Sequence, residues 1–462
     1  MIKASLDDLQ KAINGVGEGP RTTAGVTFAG VSTDSRYIAP GNLFVALRGE
    51  RFDAHDFLEQ VAAQGAAAVV AERVPEGLNI PALLVPDTRV ALGEIAAWWR
   101  SKFTIPVIGV TGSNGKTTVK EMIASILAEA YGADGYLATR GNLNNEIGVP
   151  LTVLRLGQQC KAAVIELAMN HPGEIAVLAK IARPTLAMVN NAQREHQEFM
   201  SSVAAVAEEN GSVLLNLADD GVAVFPGDEE FTPLWRGYAG KRKTATFGLT
   251  NDANVHGAYH LTEFGSELTI THSDGKFTVN LAAAGLHNVR NALAAAACTL
   301  GIGLPAATVA RGLEAFAPVA GRLQRKTSSI GSLVIDDTYN ANPDSVRAAI
   351  DVLATLPAPR LLVLGDMGEV GDAGPQFHEE VGAYAHQRGI DGLMTLGTLA
   401  QHSSRAFGAG ATHYEEIEGL KQALDHGLTK QTAALVKGSR FMKMERVVQH
   451  LLGKTESNQG SH

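Results

Sequence analysis

Cysteine is nearly absent from this 462-residue chain: Cys160 and Cys298 are the two it has. Two thiols cannot build a disulfide framework or, alone, a tetrahedral structural zinc site. They read as reduced thiols of a cytoplasmic protein. Long apolar runs are missing as well. The nearest candidate, around Ala292–Ala297, is alanine-rich, flanked by Asn291 and Arg311, and far short of the roughly 20 residues that cross a bilayer. The opening MIKASLDDLQKAI carries acids on an amphipathic pattern in place of a hydrophobic signal core. Basic charge is in deficit, 39 Lys plus Arg against 48 Asp plus Glu for a net charge of -9, which argues against a general nucleic-acid binder. What the chain has in excess is glycine, 49 residues where roughly 7% is usual. Such a count suits many tight turns, or loops that approach a ligand closely.

At 45% hydrophobic and 19% charged residues the composition is that of a folded globular protein, and the length suits about three domains. From residue 1 to 86, short apolar stretches (VTFAGVSTDSR, GNLFVAL, AAAVVA, PALLVP) separated by turns predict a small α/β domain with helices near Leu6–Ile13 and Phe57–Gln64. From 87 to 318, RVALGEIAAWWRSKF has helical spacing, with Trp98 and Trp99 expected to pack on a helix. IPVIGVTG, AAVIELA and TLAMVNN read as buried strands alternating with helices, hence a parallel sheet covered on both faces. The stretch Val222–Leu281, with polar turns and little helical period, is read as an antiparallel extension of that domain. After Pro318 the strands SLVIDDT, RLLVLGD, GLMTL and AALVK, each followed by a helix, predict a C-terminal Rossmann-like α/β domain over 319–462 that ends in a frayed polar tail.

Chemistry enters at VIGVTGSNGKTTVKEM. Gly112, Gly115, Lys116, Thr117 and Thr118 lie between a predicted strand and a predicted helix, where backbone N–H groups at the helix N-terminus can cradle phosphate. Lys116 is then placed for the β/γ phosphates and the Thr117 hydroxyl for Mg²⁺. The strict pattern G-x-x-x-x-G-K-S/T wants glycine at 110, and the chain has Val110. Two further polar residues follow strands of the same sheet: Glu166 ends AAVIE, and His196 lies in NNAQREHQEF. A plain turn, a solvated glutamate and an isolated histidine are the bland alternatives; their shared position after strands of one sheet weighs against them.

TGSNGKTT, the IEL strand end, GLHNVRNALAAAA, GRLQ and IDDTYNANPDS together resemble the Mur ligases over nearly the whole chain. GNLNNEIGVPLT, DDTYNANPDS and VLGDMGEVG bring it nearest to the branch that adds D-alanyl-D-alanine to UDP-N-acetylmuramoyl-tripeptide. The resemblance implies three α/β domains, the central one P-loop ATPase-like with a mostly parallel sheet, and a monomer that uses ATP and Mg²⁺ and proceeds through an acyl phosphate. It implies that Ser32, Thr33, Asp34, Ser35 and Arg36 lie near the UDP end of the precursor. ATP would sit on Thr111, Gly112, Ser113, Asn114, Gly115, Lys116, Thr117 and Thr118, with Asn291 and Asn288 towards adenine. Arg322 and Asp337 would close over the nucleotide from the C-terminal domain, Asp337 towards the ribose. Lys116, Glu166 and His196 would be catalytic, and Thr117, Glu166 and His196 would handle the metal. Asn144, Asn145 and Glu146 would line the muramyl-peptide channel. Several Mur ligases carry a carbamylated lysine after the magnesium histidine; here Asn210, between Glu209 and Gly211, holds that place, so independence from CO₂ is expected, with Glu208 or Glu209 a possible source of the missing charge. A ligase for another amino acid, a folylpolyglutamate-synthase-like enzyme and a P-loop regulatory switch are the competing readings.

Overall fold

The computed structural model describes residues 1–13, 16–18 and 24–453; the tail from Lys454, expected to fray, lies outside them. The N-terminal part is a five-stranded sheet, in the order Val16–Glu18, Ala82–Leu84, Ala68–Ala71, Leu43–Val45, Val31–Ser32. Val16–Glu18 is antiparallel to its neighbour and the rest are parallel. Lys3–Ser5 and Thr27–Ala29 form a separate antiparallel pair. The helix Leu6–Ile13 occurs as expected, with Leu6, Leu9 and Ile13 on its buried face. The second helix is Leu58–Ala63, because a 3₁₀ turn over Ala54–Phe57 takes the first residue of the expected span.

The helix Thr88–Arg100 starts where the Asp87 carboxylate accepts the Arg89 and Val90 amides. Its buried face joins the N-terminal sheet to the next: one hydrophobic cluster contains Leu6, Leu9 and Leu83 together with Leu92, Ile95, Val107 and Ile165. Trp98 and Trp99 both pack on that cluster, and the Trp99 indole N–H reaches Leu156 O at 3.1 Å.

Nine strands form the central sheet, in the order Tyr136–Ala138, Ala162–Glu166, Val107–Thr111, Leu186–Val189, Val222–Pro226, Lys243–Gly248, Val255–Leu261, Ser266–His272, Gly275–Leu281. The first seven are mutually parallel, and only the last two pairings are antiparallel, with Ser266–His272 the one reversed strand. The antiparallel reading of Val222–Leu281 is thus corrected for its first half. The short crossover helix Thr232–Ala239, whose Trp235 is fully buried, escaped detection because its Pro233 and Gly237 read as turn signals.

Register brings the chemistry together. Val107–Thr111 lies between its two neighbours with Val110 opposite Glu166 and Thr111 opposite Val189, so three strand ends open at one edge. Behind them the helix Lys116–Tyr131 is covered by Leu286–Gly301 and Ala306–Glu314. The alanines 292 and 294–297 are all buried there, and small side chains permit the close approach.

The C-terminal six-stranded sheet runs Gln324–Thr327, Leu333–Asp337, Ala433–Lys437, Arg360–Gly365, Gly392–Leu396, Ala411–Tyr414, parallel except for the first. Its edge strands Gln324–Thr327 and Ala411–Tyr414 were not expected; both are short and mostly polar. Asn342 opens the helix Pro343–Ala354 through a capping box with Ser345.

Gly312 is the tightest point beneath the phosphate-loop helix: a Cβ there would sit 2.4 Å from Ile126 Cα, whereas one on the helical Gly237 would meet nothing within 4 Å. Gly312→Ala is expected to cost about 1–3 kcal/mol of stability by forcing two helices apart. Gly237→Ala is expected to be neutral or mildly stabilising. Denaturant titration of the two variants checks the contrast.

Candidate active site

The loop after Val107–Thr111 bends at Gly112 (φ +129°) and Gly115 (φ +82°). At Gly115 a side chain is excluded twice over, by the left-handed conformation and by Asn291 Oδ1, which would lie 2.4 Å from a Cβ. Val110 explains the departure from the strict pattern. It is fully buried inside the sheet, so the first bend falls on Gly112.

Asparagines hold the loop. Asn210 Oδ1 accepts the Gly112 N–H at 2.9 Å and Asn191 Oδ1 accepts that of Asn114 at 2.9 Å. Asn190 and Asn191 both donate to Asn114 O, at 2.7 and 3.0 Å, and Asn190 Nδ2 also reaches Asn291 Oδ1 at 2.9 Å. Asn291 in turn donates to Asn288 Oδ1 at 3.1 Å. The Thr111 hydroxyl is buried against Met188 O and Asn210 O, so Thr111, like Gly112, shapes the loop from behind and does not line the cavity.

That cavity, of about 920 Å³, is lined by Ser113 to Thr118, Asn144, Glu166, His196, Asn288, Asn291, Arg322 and Asp337 among others. Lys116 Nζ donates to Gly112 O and Ser113 O and lies 3.3 Å from Glu195 Oε2. Thr117 donates to Glu166 Oε1 at 3.1 Å and accepts from Arg322 Nη2 at 2.9 Å. Asn144 Nδ2 meets the same Glu166 oxygen at 2.8 Å. Glu166 is 2% exposed, and its other oxygen, Oε2, has no hydrogen-bond partner.

The C-terminal domain closes over the loop. The Arg194 guanidinium bridges Asp344 and Glu380, with shortest contacts of 2.5 and 2.6 Å. Asn342 Nδ2 reaches Asn114 Oδ1 at 2.9 Å, and His196 Nδ1 approaches Glu369 Oε2 at 2.6 Å. The Arg194 hydrogen bond holds the Glu380 carboxyl below its ordinary pKa, and the His196 ring does the same for Glu369. Asp337 is fixed by Lys437 Nζ at 2.6 Å and by the Leu323 amide at 3.1 Å. Arg322 lies over the Tyr339 ring at 4.3 Å.

Other expected residues fall elsewhere. Asn145 Oδ1 caps the helix Gly148–Val153 through the Gly148 amide, and Glu146 pairs with Arg89 at 3.2 Å on a half-exposed rim, so of that trio Asn144 alone lines the cavity. Ser32, Thr33, Asp34, Ser35 and Arg36 form a turn outside the cavity, closed on itself by the Arg36–Asp34 pair at 2.6 Å. Glu208 is exposed, whereas Glu209 accepts the Gly173 and Ile175 amides at the start of the helix Glu174–Ala182. Sequence reading passed over Glu195, Arg194, Asn342 and Lys437. The signal available for Lys437 was the one that marked Glu166: a charged residue ending a buried strand.

Three family models match the chain: the Mur ligase family catalytic domain over residues 27–100, the Mur ligase middle domain over 110–299, and the Mur ligase glutamate ligase domain over 321–440. The chain belongs to the Mur ligase family. It is 41% identical to the UDP-N-acetylmuramoyl-tripeptide–D-alanyl-D-alanine ligase of Escherichia coli K12, over 98% of this chain and 99% of that one. To the Bacillus subtilis enzyme of that name it is 36% identical, over 98% and 99%. Among solved structures, MurF from Acinetobacter baumannii superposes with a TM-score of 0.91 at 34% identity, covering 98% of this chain and 100% of that one. MurF from Thermotoga maritima in complex with ADP gives 0.82 at 28%, covering 92% and 97%.

One partly buried acid in the cavity wall carries a pH signature. Burial pushes the Glu229 carboxyl up to about 7, against the pull of Arg290 at 3.8 Å, although 26% of its side chain is exposed. A raised folded-state pKa means that the stability contributed by the neutral acid is present below its ordinary value of 4.5 and is lost as pH rises through about 7. Glu229→Gln removes that loss. Its Tm should therefore gain on the wild type between pH 5 and pH 8, as calorimetry at both ends would register.

Proposed function

We propose that this chain is the ATP-dependent ligase that joins D-alanyl-D-alanine to UDP-N-acetylmuramoyl-tripeptide, giving the pentapeptide precursor of peptidoglycan with release of ADP and phosphate. The observation that carries the reading is the convergence on one cavity of the loop Ser113–Thr118, the strand-end acid Glu166, and Arg322, Asp337 and Lys437 from the C-terminal domain.

A carboxylate resists an amine because its carbon has no adequate leaving group. Transfer of the γ-phosphoryl group to the carboxylate oxygen breaks the bond to ADP and supplies one. The amine of the dipeptide, once deprotonated, attacks the acyl carbon, and phosphate leaves with the former carboxylate oxygen. The chain's contribution is position and electrostatics. First-turn amides from Lys116 to Thr118 have no partner within their own helix and point at the phosphates. Lys116 exchanges its loop carbonyls for the β/γ oxygens. Asn291 and Asn288 serve the adenine side and Asp337 the ribose. Arg322 bridges the two domains at Thr117. Closure by the Arg194 and Asn342 contacts keeps water from a labile acyl phosphate.

The donor set suits Mg²⁺: the Thr117 hydroxyl, the partnerless buried Glu166 Oε2 and the His196 imidazole are hard or borderline donors that line the same cavity. The ion would neutralise charge on the transferred phosphoryl group. Asn144 is assigned to the precursor's peptide end, and the turn Ser32–Arg36 to its UDP end. We assign 1–86, 87–318 and 319–462 as the domains. One chain supplies every group named, so a monomer suffices. Two unpaired cysteines and ATP as substrate favour the cytoplasm; among the described residues no helix is long and apolar enough to cross a membrane.

Phosphate release in the presence of UDP-N-acetylmuramoyl-tripeptide should require D-alanyl-D-alanine and be unsupported by free D-alanine, glutamate or diaminopimelate. Lys116→Ala should abolish it in a folded protein, and Glu166→Gln should lower it strongly, with partial recovery at high Mg²⁺. Turnover with a free amino acid in place of the dipeptide would move the chain to a sibling activity. Nucleotide binding without turnover on any of these amines would leave a regulatory protein.

A further inference from the structure

One carboxylate at the phosphate loop has no part in the scheme above. Glu195 is 6% exposed and lines the cavity. Its Oε2 faces Lys116 Nζ at 3.3 Å and His196 Nε2 at 3.9 Å, and its Oε1 accepts from Asn210 Nδ2 at 3.3 Å. Asn210 has little freedom. Its Oδ1 holds the Gly112 amide and its carbonyl the Thr111 hydroxyl, so the loop orients Asn210 and Asn210 orients Glu195. The next residue, His196, is held at φ +48°, a conformation that costs a side-chain-bearing residue energy and persists only where the surroundings enforce it.

Charge balance says what this arrangement is for. A buried carboxylate needs a counter-charge. Here Lys116 is that counter-charge, and on the reading above Lys116 turns to the phosphates when nucleotide binds. Glu195 then keeps the Asn210 amide, a neutral donor, and faces the phosphate end of the cavity with its other oxygen. Glu195 and the His196 imidazole, 3.9 Å apart, would hold a divalent cation there, and such a cation would supply the missing positive charge. The two acids nearest Asn210 in sequence are not available for this. Glu208 is exposed, and Glu209 is committed to the Gly173 and Ile175 amides.

We propose that Glu195, positioned by Asn210, is an anionic ligand of the divalent cation at the γ-phosphate end of the site, directly or through one water, and does in this chain what a carbamylated lysine does in some of its relatives. The proposal rests on the ligase reading. Its test uses Mn²⁺ with a non-hydrolysable ATP analogue, which carries the γ-phosphate, on the full chain, read by electron paramagnetic resonance without peptide substrates. Glu195→Gln should weaken Mn²⁺ binding in the nucleotide complex by about tenfold or more, raise the Mg²⁺ concentration for half-maximal turnover in parallel, and leave metal-free ADP affinity unchanged. Glu195→Asp, which keeps the charge, should retain most of the Mn²⁺ affinity. A role limited to holding the loop would lower ADP affinity with or without metal and would overturn the proposal. So would equal Mn²⁺ affinity in wild type and Glu195→Gln, or a protein-bound carbamate signal in the wild type after equilibration with ¹³C-bicarbonate. Wild-type activity should be indifferent to CO₂ removal at fixed pH. Failure of the ligase reading looks different: the wild type itself would release no phosphate with the dipeptide present.

Discussion

Everything at the centre of this molecule depends on a glycine loop whose backbone is hydrogen-bonded by asparagine side chains. A loop at the open edge of a parallel sheet exposes amides and carbonyls that a regular element would have satisfied. Here Asn190, Asn191 and Asn210 take them up one by one, and Asn291 packs where a Cβ on Gly115 would have to go. The side-chain amide suits this work because it donates and accepts at once without bringing a charge into a site built for phosphates. The loop is therefore shaped before any ligand arrives, and the first-turn amides of the helix Lys116–Tyr131 stay available.

Electrostatics then couples the loop to the C-terminal domain. Side chains cross between them in five pairs: Arg194 with Asp344 and with Glu380, Asn114 with Asn342, His196 with Glu369, and Thr117 with Arg322. Two of these, at Thr117 and His196, engage residues proposed to hold the metal. Arg322 and Asp337 reach the cavity because they lie at the same end of one antiparallel strand pair, Gln324–Thr327 with Leu333–Asp337. Lys437, ending the adjacent parallel strand, fixes Asp337.

Much of this was legible in the sequence. VIGVT, AAVIE and LVIDD announced buried parallel strands, and the G-K-T-T turn announced the phosphate end, because sheet chemistry concentrates at strand ends. The stretch from Val222 was misread because Pro233 and Gly237 give the helix Thr232–Ala239 the look of a turn, and the strand after it, Lys243–Gly248, is half polar. Glu195 was invisible for another reason. In NNAQREHQ one charged residue among several looks like surface, and only the packing of the helix Val203–Leu215, which carries Asn210 to the loop, buries it. The substitution of asparagine at position 210 was readable; what compensates for it was not, since the compensating residue lies 15 positions away. The turn Ser32–Arg36 was marked by the resemblance alone, and the hydrogen bonds of Asp34 and Arg36 close it on itself.

On the proposed function, the site activates a carboxylate by phosphoryl transfer. The most direct measurement uses UDP-N-acetylmuramoyl-tripeptide labelled with ¹⁸O in its reacting carboxylate, with the released phosphate analysed by mass spectrometry after ligation to D-alanyl-D-alanine. An acyl phosphate predicts one ¹⁸O in each phosphate and none in ADP. Unlabelled phosphate alongside complete ligation, or label in AMP, would contradict it.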